Sequence, residues 1–266
     1  LEKIAKKVRR GIIEEVYSAQ SGHPGGSLSV ADILTVLYFN ELNIDEKSPK
    51  WEERDRLVLS KGHCSPALYS TLARKGYFEK ERLLTFRNIE SNLQGHPDMN
   101  KVPGVDMTSG SLGQGLSVAN GMALASKLNG DGYRVYCLLG DGEIEEGQVW
   151  EAAMTSNKYK LDNLCVIVDN NNLQIDGKIE EVKGLTNIGD KFKSFGFEVL
   201  QIDGNNIEEL LNAFNVAKQI KGRPTVIIAK TIKGKGVSFM ENNKLWHQAV
   251  LSEEQYKTAY AEILNS

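Results

Sequence analysis

Cysteine is scarce in this 266-residue chain. Its three thiols, Cys64, Cys137 and Cys165, leave an odd count with no C-x-x-C pair. That excludes a disulfide-framed scaffold. Cys137 and Cys165 lie in strand-like runs, where a free thiol acts as a small apolar residue. A reducing, cytoplasmic setting is the expectation. Long hydrophobic runs are also missing. None approaches the length that spans a bilayer, and no apolar signal core follows the basic start at Lys6, Lys7, Arg9 and Arg10. No membrane partner is expected. Positive charge is in deficit too: 32 Lys and Arg against 35 Asp and Glu give a net charge of -3. No basic stripe stands ready for a nucleic acid, so none is expected as a partner. Internal repeats, low-complexity tracts and linkers are absent, and a single domain over residues 1–266 is the expectation.

What is present is ordinary globular composition, 41% hydrophobic and 25% charged, enough for a large α/β unit with a buried core. Ile4, Val8, Ile12, Val16 and Ala19 mark a helix with one apolar stripe. Further helices are predicted over 30–39, 116–128, 149–159, 207–220 and 252–264. Strands are predicted over 57–59, 134–139, 164–168, 197–202 and 224–229. Near-continuous apolar strands alternating with amphipathic helices indicate a parallel sheet covered on both faces, a doubly wound three-layer α/β architecture. Ligands of such sheets bind beyond the carboxyl ends of the strands.

Polar motifs stand at those ends. Gly140-Asp141-Gly142-Glu143 follows one apolar strand, and Asp169-Asn170-Asn171-Asn172 follows the next. Neighbouring parallel strands would present the Asp141 carboxylate and the Asn171 amide side by side. Hard cations such as Mg²⁺ take oxygen ligands and complete their shell with phosphates. A carbonyl of the following turn adds an oxygen, and the helix start near Glu146 offers N–H groups to an anion. Taken alone, Gly-Asp-Gly is equally a plain turn. With Asn171 on the next strand, a metal-diphosphate site is the better account. The chain has only four histidines. His23 and His96 each stand in Gly-His-Pro, His63 in Ser-Lys-Gly-His past a strand, and His247 in Leu-Trp-His. Glycine before and proline after keep a side chain on a loop, where imidazoles can grip hydroxyls or move protons. Thr108-Ser109-Gly110-Ser111-Leu112-Gly113-Gln114-Gly115 leads into a helix and can set backbone amides against an anion or flat ring; alone it reads as a packing turn. Lys233-Gly234-Lys235-Gly236 brings positive charge near a diphosphate, or is a solvated turn.

In this order, S-G-H-P-G-G at 21–26, S-K-G-H at 60–63, G-H-P at 95–97, T-S-G-S-L-G-Q-G at 108–115, G-D-G-E-I-E-E-G at 140–147 and D-N-N-N-L-Q-I-D-G at 169–177 resemble the amino-terminal part of transketolases. The resemblance runs through most of the chain. It implies the thiamine diphosphate-binding fold, with Mg²⁺, Ca²⁺ or Mn²⁺ held by Asp141, Asn171 and the carbonyl oxygen of Leu173. It implies Gly142, Asn171, Gly110 and Leu112 around the cofactor, and His63 and His247 by the diphosphate and the reacting centre. His23 and His96 would bind the donor sugar and assist proton transfer. Glu146 would lie at the subunit contact, and Arg87 would reach substrate. The activity implied is two-carbon ketol transfer from a ketose phosphate to an aldose phosphate, as in the pentose phosphate pathway.

Two local departures stand out. His247-Gln248-Ala249-Val250 lacks the Gly and Pro that often follow this histidine, and Ser111 replaces a commoner Pro. The pyrimidine-binding and C-terminal domains of the family find no counterpart in the chain. They are expected on a separate subunit, in a heterotetramer of two copies of each. Other readings are a subunit of a related thiamine diphosphate enzyme, either an unusual-sugar ketolase, deoxyxylulose-phosphate-synthase-like or pyruvate-dehydrogenase-like. A non-catalytic regulatory relative or binding module is the remaining alternative.

Overall fold

The computed structural model describes residues 1–265. Helices α1 (Glu2–Ala19), α2 (Pro24–Ser29) and α3 (Ala31–Val36) precede strand β1 (Arg56–Leu59) and helix α4 (Ser65–Lys75). Then come α5 (Gly115–Asn129), β2 (Val135–Gly140), α6 (Gly147–Lys158), β3 (Leu164–Asn170), α7 (Ile179–Val182) and α8 (Ile188–Ser194). The chain continues through β4 (Glu198–Asp203), α9 (Ile207–Gln219), β5 (Thr225–Lys230) and α10 (Glu253–Asn265). The five strands form one parallel sheet in the order β1-β2-β3-β5-β4. No helix among the described residues is long and apolar enough to cross a membrane.

Side chains alternate across each strand, so every central strand feeds two cores. Tyr136 and Leu138 of β2 face the core under α1, α3, α4 and α9, with Cys165, Ile167 and Ile227 beside them. Val135, Cys137 and Leu139 face the other core under α5 and α6, with Val166, Val168 and Val226. The three layers expected from the sequence are therefore present. All three cysteines are free and buried within them.

Several helical segments depart from the sequence reading, among them α7 and α8, which were not expected. The helix expected over 30–39 instead begins at Pro24, breaks at Val30 and ends in a π-helical turn over Leu37–Glu41. At the break the Ser29 hydroxyl shares its one proton between the Gly26 carbonyl at 2.9 Å and the Asp169 carboxylate at 2.6 Å. A serine that bonds back to its own helix bends it. Helix α4 was not expected. Its residues from Ser65 to Ala73 are all buried, so it shows no amphipathic period.

Candidate active site

The strand ends meet at a cavity of about 390 Å³ whose wall includes Asp141, Asn171, Lys61, Lys233 and the four histidines. Its floor is set by the register of β2 on β3, which pairs Gly140 with Asp169. Asp141 is 3% exposed. It accepts N–H bonds from Gly142 and from Asn172 in the turn after β3. The Asn171 amide oxygen accepts the Leu173 N–H at 3.1 Å, while its nitrogen donates to Asp169 at the same distance. The two strands thus bring a carboxylate, an amide and the turn carbonyls to one place. Burial pushes the Asp141 carboxyl up to about 7, reinforced by the Asp169 charge, against the pull of Lys61 and the two N–H donors.

Sequence reasoning missed the charge network behind this floor. Asp169 is fully buried and pairs with the Lys61 ammonium. It also takes hydrogen bonds from Ser29, Asn171 and Thr231. Burial pulls Lys61 down, but the Asp169 carboxylate more than offsets it and holds the ammonium charged. A second buried carboxylate, Glu143, stitches loop to sheet. It accepts from the Ser60 hydroxyl and from the N–H groups of Gly113 and Gly140, both at 3.0 Å. The Gly113 backbone has φ of 82°, and a Cβ there would lie 2.8 Å from the Glu146 Cβ. Glycine is therefore needed for both conformation and space. The stitch places exposed Gly110, Leu112 and Glu146 on the cavity rim. The signals were present in Ser60-Lys61-Gly62-His63 and in the Asp that ends β3, but a charged residue at a strand end does not announce its burial.

The histidines arrive from separate segments. The ring centroids of His23 and His63 are 5.2 Å apart, those of His63 and His247 5.2 Å, and those of His23 and His247 5.6 Å. His96 closes the set over Gly110, where a Cβ would come within 3.5 Å of its ring. His247 reaches the cluster without the Gly and Pro absent from its sequence. The Gly25 carbonyl accepts the Gly234 N–H at 2.9 Å, and the Gly22 carbonyl accepts the Ala249 N–H at 3.2 Å. Those bonds dock the 233–249 segment on the first Gly-His-Pro loop. Arg9 anchors the same segment through the Lys235 carbonyl at 3.1 Å while pairing with Asp32.

Lys233 is 2% exposed and enters the cavity, as one of the two readings of its loop had it. Its ammonium lies 2.9 Å from the Leu173 carbonyl oxygen and 2.9 Å from His247 Nδ1. A donating ammonium makes that nitrogen the acceptor and leaves Nε2 to carry the ring proton. Burial, reinforced by Lys61, lowers Lys233 to about 8, although Asp141 opposes this. Burial and the neighbouring cations hold all four imidazoles below their ordinary value. His23 falls to about 4, under burial, Arg87, His96 and Lys233. His247 falls to about 3, under burial and then Lys233. His63 is lowered by burial and Lys61, and His96 by burial and Arg87. Neutral imidazoles, each with one donor and one acceptor, therefore face the cavity at neutral pH. Buried His23 Nδ1 has no hydrogen-bond partner among the described residues.

This fold and this wall of oxygen donors, ammonium groups and neutral imidazoles define a cofactor-dependent α/β enzyme site. Residues 1–263 match the thiamine diphosphate-binding domain of transketolase, and the chain belongs to that family. It is a transketolase component carrying that domain. It is 46% identical over 263 residues to the 6-deoxy-6-sulfo-D-fructose transketolase subunit of Clostridium sp. strain MSTE9, covering 99% of this chain and 96% of that one. It is 44% identical to an apulose-4-phosphate transketolase subunit of Phocaeicola vulgatus, covering 99% and 93%. The transketolase structure from Campylobacter jejuni superposes with a TM-score of 0.92 at 38% identity, covering 98% of this chain and 42% of that one. The chain thus spans under half the length of the full transketolases it matches.

Proposed function

We propose that this chain is the diphosphate-binding subunit of a two-chain transketolase. With its partner it moves a two-carbon ketol unit from a ketose phosphate to an aldose phosphate, using thiamine diphosphate and a divalent metal ion. The observation that carries this reading is the unpaired opposition on the cavity wall, where buried Asp141 meets only backbone N–H groups and buried Lys233 only neutral acceptors. A metal-bound diphosphate supplies both missing charges, so the residues fit the group.

In this reading Asp141, Asn171 and the Leu173 carbonyl hold Mg²⁺, or Ca²⁺ or Mn²⁺. All three donors are hard oxygens. Among the described residues there is no cluster of three or more His, Cys, Asp or Glu able to hold a metal, so mixed donors and phosphate oxygens would complete the shell. Lys233, His63, His247 and the Gly142 backbone, whose N–H here bonds Asp141, would face the diphosphate. Gly110 and Leu112 face the ring end of the cofactor. When bound, thiamine diphosphate supplies the nucleophilic carbon that attacks the ketose carbonyl. His23 and His96, both neutral, bind the sugar's oxygens and exchange protons with its hydroxyl groups. Glu146, exposed on the rim beside Gly113, meets the neighbouring subunit.

Relatives of matching length are described as subunits, which supports a separate partner; we assign to it the pyrimidine-binding domain, in a heterotetramer of two each. This chain contributes the single domain over residues 1–266. The sugars in those names, one a sulfonate and one a phosphate, favour a specialised anionic sugar over a general pentose phosphate role. A cytoplasmic setting accords with three free, buried thiols.

The test is reconstitution with the natural partner, thiamine diphosphate, Mg²⁺ and a panel of ketose phosphates. Turnover at an ordinary enzyme rate by this chain alone would remove the two-chain reading. Asp141→Ala is expected to weaken cofactor binding in calorimetric titration while leaving the thermal melt nearly unchanged. Equal affinity in mutant and wild type would remove the metal role.

A further inference from the structure

The two Gly-His-Pro loops are far apart in sequence yet share one side chain. Arg87 sits between them in a left-handed backbone conformation, with φ of 60°. A non-glycine residue in that region indicates that its surroundings hold it there. Its N–H donates to the Leu93 carbonyl at 2.8 Å, which orients the side chain back over the 91–97 loop. One guanidinium nitrogen donates to the Ser21 hydroxyl at 2.6 Å, two residues before His23. The fork lies flat on Gly95, next to His96. A Cβ at Gly95 would come within 2.7 Å of one terminal nitrogen and 2.9 Å of both Cζ and Nε. The 91–97 loop is itself fixed to α4, with Ser65 bonding the Gly95 carbonyl at 2.8 Å and Tyr69 bonding the Gln94 carbonyl at 2.9 Å. Arg87 therefore ties the Ser21 loop, which the 233–249 segment also holds, to that rigid wall.

We propose that Arg87 is a positioning residue that clamps the two Gly-His-Pro loops in register, so that His23 and His96 face the cavity as a pair. Because the function proposed above gives those histidines the proton transfers, the clamp deepens that reading. The same cation has an electrical effect. After burial, the Arg87 charge is the largest influence lowering both His23 and His96. The other groups acting on His23 are His96 and Lys233, with the His63 and His247 rings packed beside it. Lys61, Lys233 and the neighbouring histidines, not Arg87, act on His63 and His247. One side chain thus sets the spacing of one histidine pair and adds to burial in keeping it neutral, while reaching His63 and His247 only through His23.

The intact chain offers a direct readout, because its four histidines give four imidazole titration curves by NMR. In Arg87→Met, the curves of His23 and His96 are expected to move up toward the ordinary imidazole range, while those of His63 and His247, which feel the change only through His23, move less. Gly95→Ala keeps the charge but pushes the fork off its seat, and should move the same two curves. It serves if Arg87→Met fails to fold. The clamp is overturned if neither curve moves in a folded variant, or if all four move together as in general loosening. Turnover with the partner subunit separates the two levels of reading. Shifted curves with unchanged pH–rate profiles would leave the clamp standing and remove His23 and His96 from proton transfer.

Discussion

Glu15 is a carboxyl group with nothing to bond among the described residues. It lies on the α1 face that packs against α4, one turn after Gly11, which abuts Ser70 and Leu83. It is fully buried, and neither carboxyl oxygen has a hydrogen-bond partner among the described residues. Burial raises its pKa well above the ordinary 4.5, the Glu14 charge adds to this, and Arg74 opposes it too weakly. The native state therefore keeps a proton that the unfolded chain releases. Stability falls as pH rises above 4.5 and goes on falling until the raised native value is passed. Leaving a neutral polar group buried without a partner costs about 1–3 kcal/mol. Glu15→Leu removes both penalties and is expected to raise the melting temperature by roughly 2–12 °C, at about 2–4 °C per kcal/mol for a chain of this size. Glu15→Gln keeps the polarity but removes the proton, so its gain should be near nil at acidic pH and grow through neutral pH. Thermal melts of the three proteins across that range decide the matter. Unchanged or lower melting temperatures for both variants at every pH would refute the reasoning, and a pH-independent gain for Glu15→Gln would refute the linkage.

Two further substitutions probe the scaffold around the cavity. Gly113→Ala forces a side chain into a left-handed position and against Glu146, which should cost about 1–2 kcal/mol from the backbone alone; an unchanged thermal melt would show that the loop can rearrange. Lys61→Met leaves the fully buried Asp169 without its cation and should cost about 3–5 kcal/mol in urea unfolding. A loss below about 1 kcal/mol would mean that the hydrogen bonds from Ser29, Asn171 and Thr231 hold that charge unaided.

The sheet was legible because buried parallel strands declare themselves as short apolar runs. Each expected strand lies within a residue or two of its observed span. Asp141 and Asn171 were legible for a related reason, since both follow such runs and β2 and β3 are neighbours. Helix α4 was not, because complete burial removes the polar face that betrays a helix. The break at Val30 depends on a contact between Ser29 and Asp169 that spans 140 residues. Tertiary distance also hid the histidine cluster. Gly-His-Pro marks a loop, but nothing in the spelling brings His23 within 5.6 Å of His247. The burial of Lys61 and Lys233 was invisible for the same reason, as lysine is ordinarily a surface residue.

That burial bears on why the cavity wall is built as it is. A buried carboxylate and a buried ammonium in one cavity would ordinarily relieve each other as an ion pair, and Lys61 with Asp169 does so. Asp141 and Lys233 do not pair, although Asp141 acts on the Lys233 titration. Asp141 is held by N–H groups of the turns beside it, and Lys233 is held by a carbonyl and an imidazole. Each side chain is thus tethered by neutral groups, and both titrations report the cost. The acid stands near 7 and the amine near 8, each displaced toward its uncharged form. A folded chain tolerates that tension where binding relieves it. A ligand of one sign would answer Asp141 or Lys233 and leave the other strained.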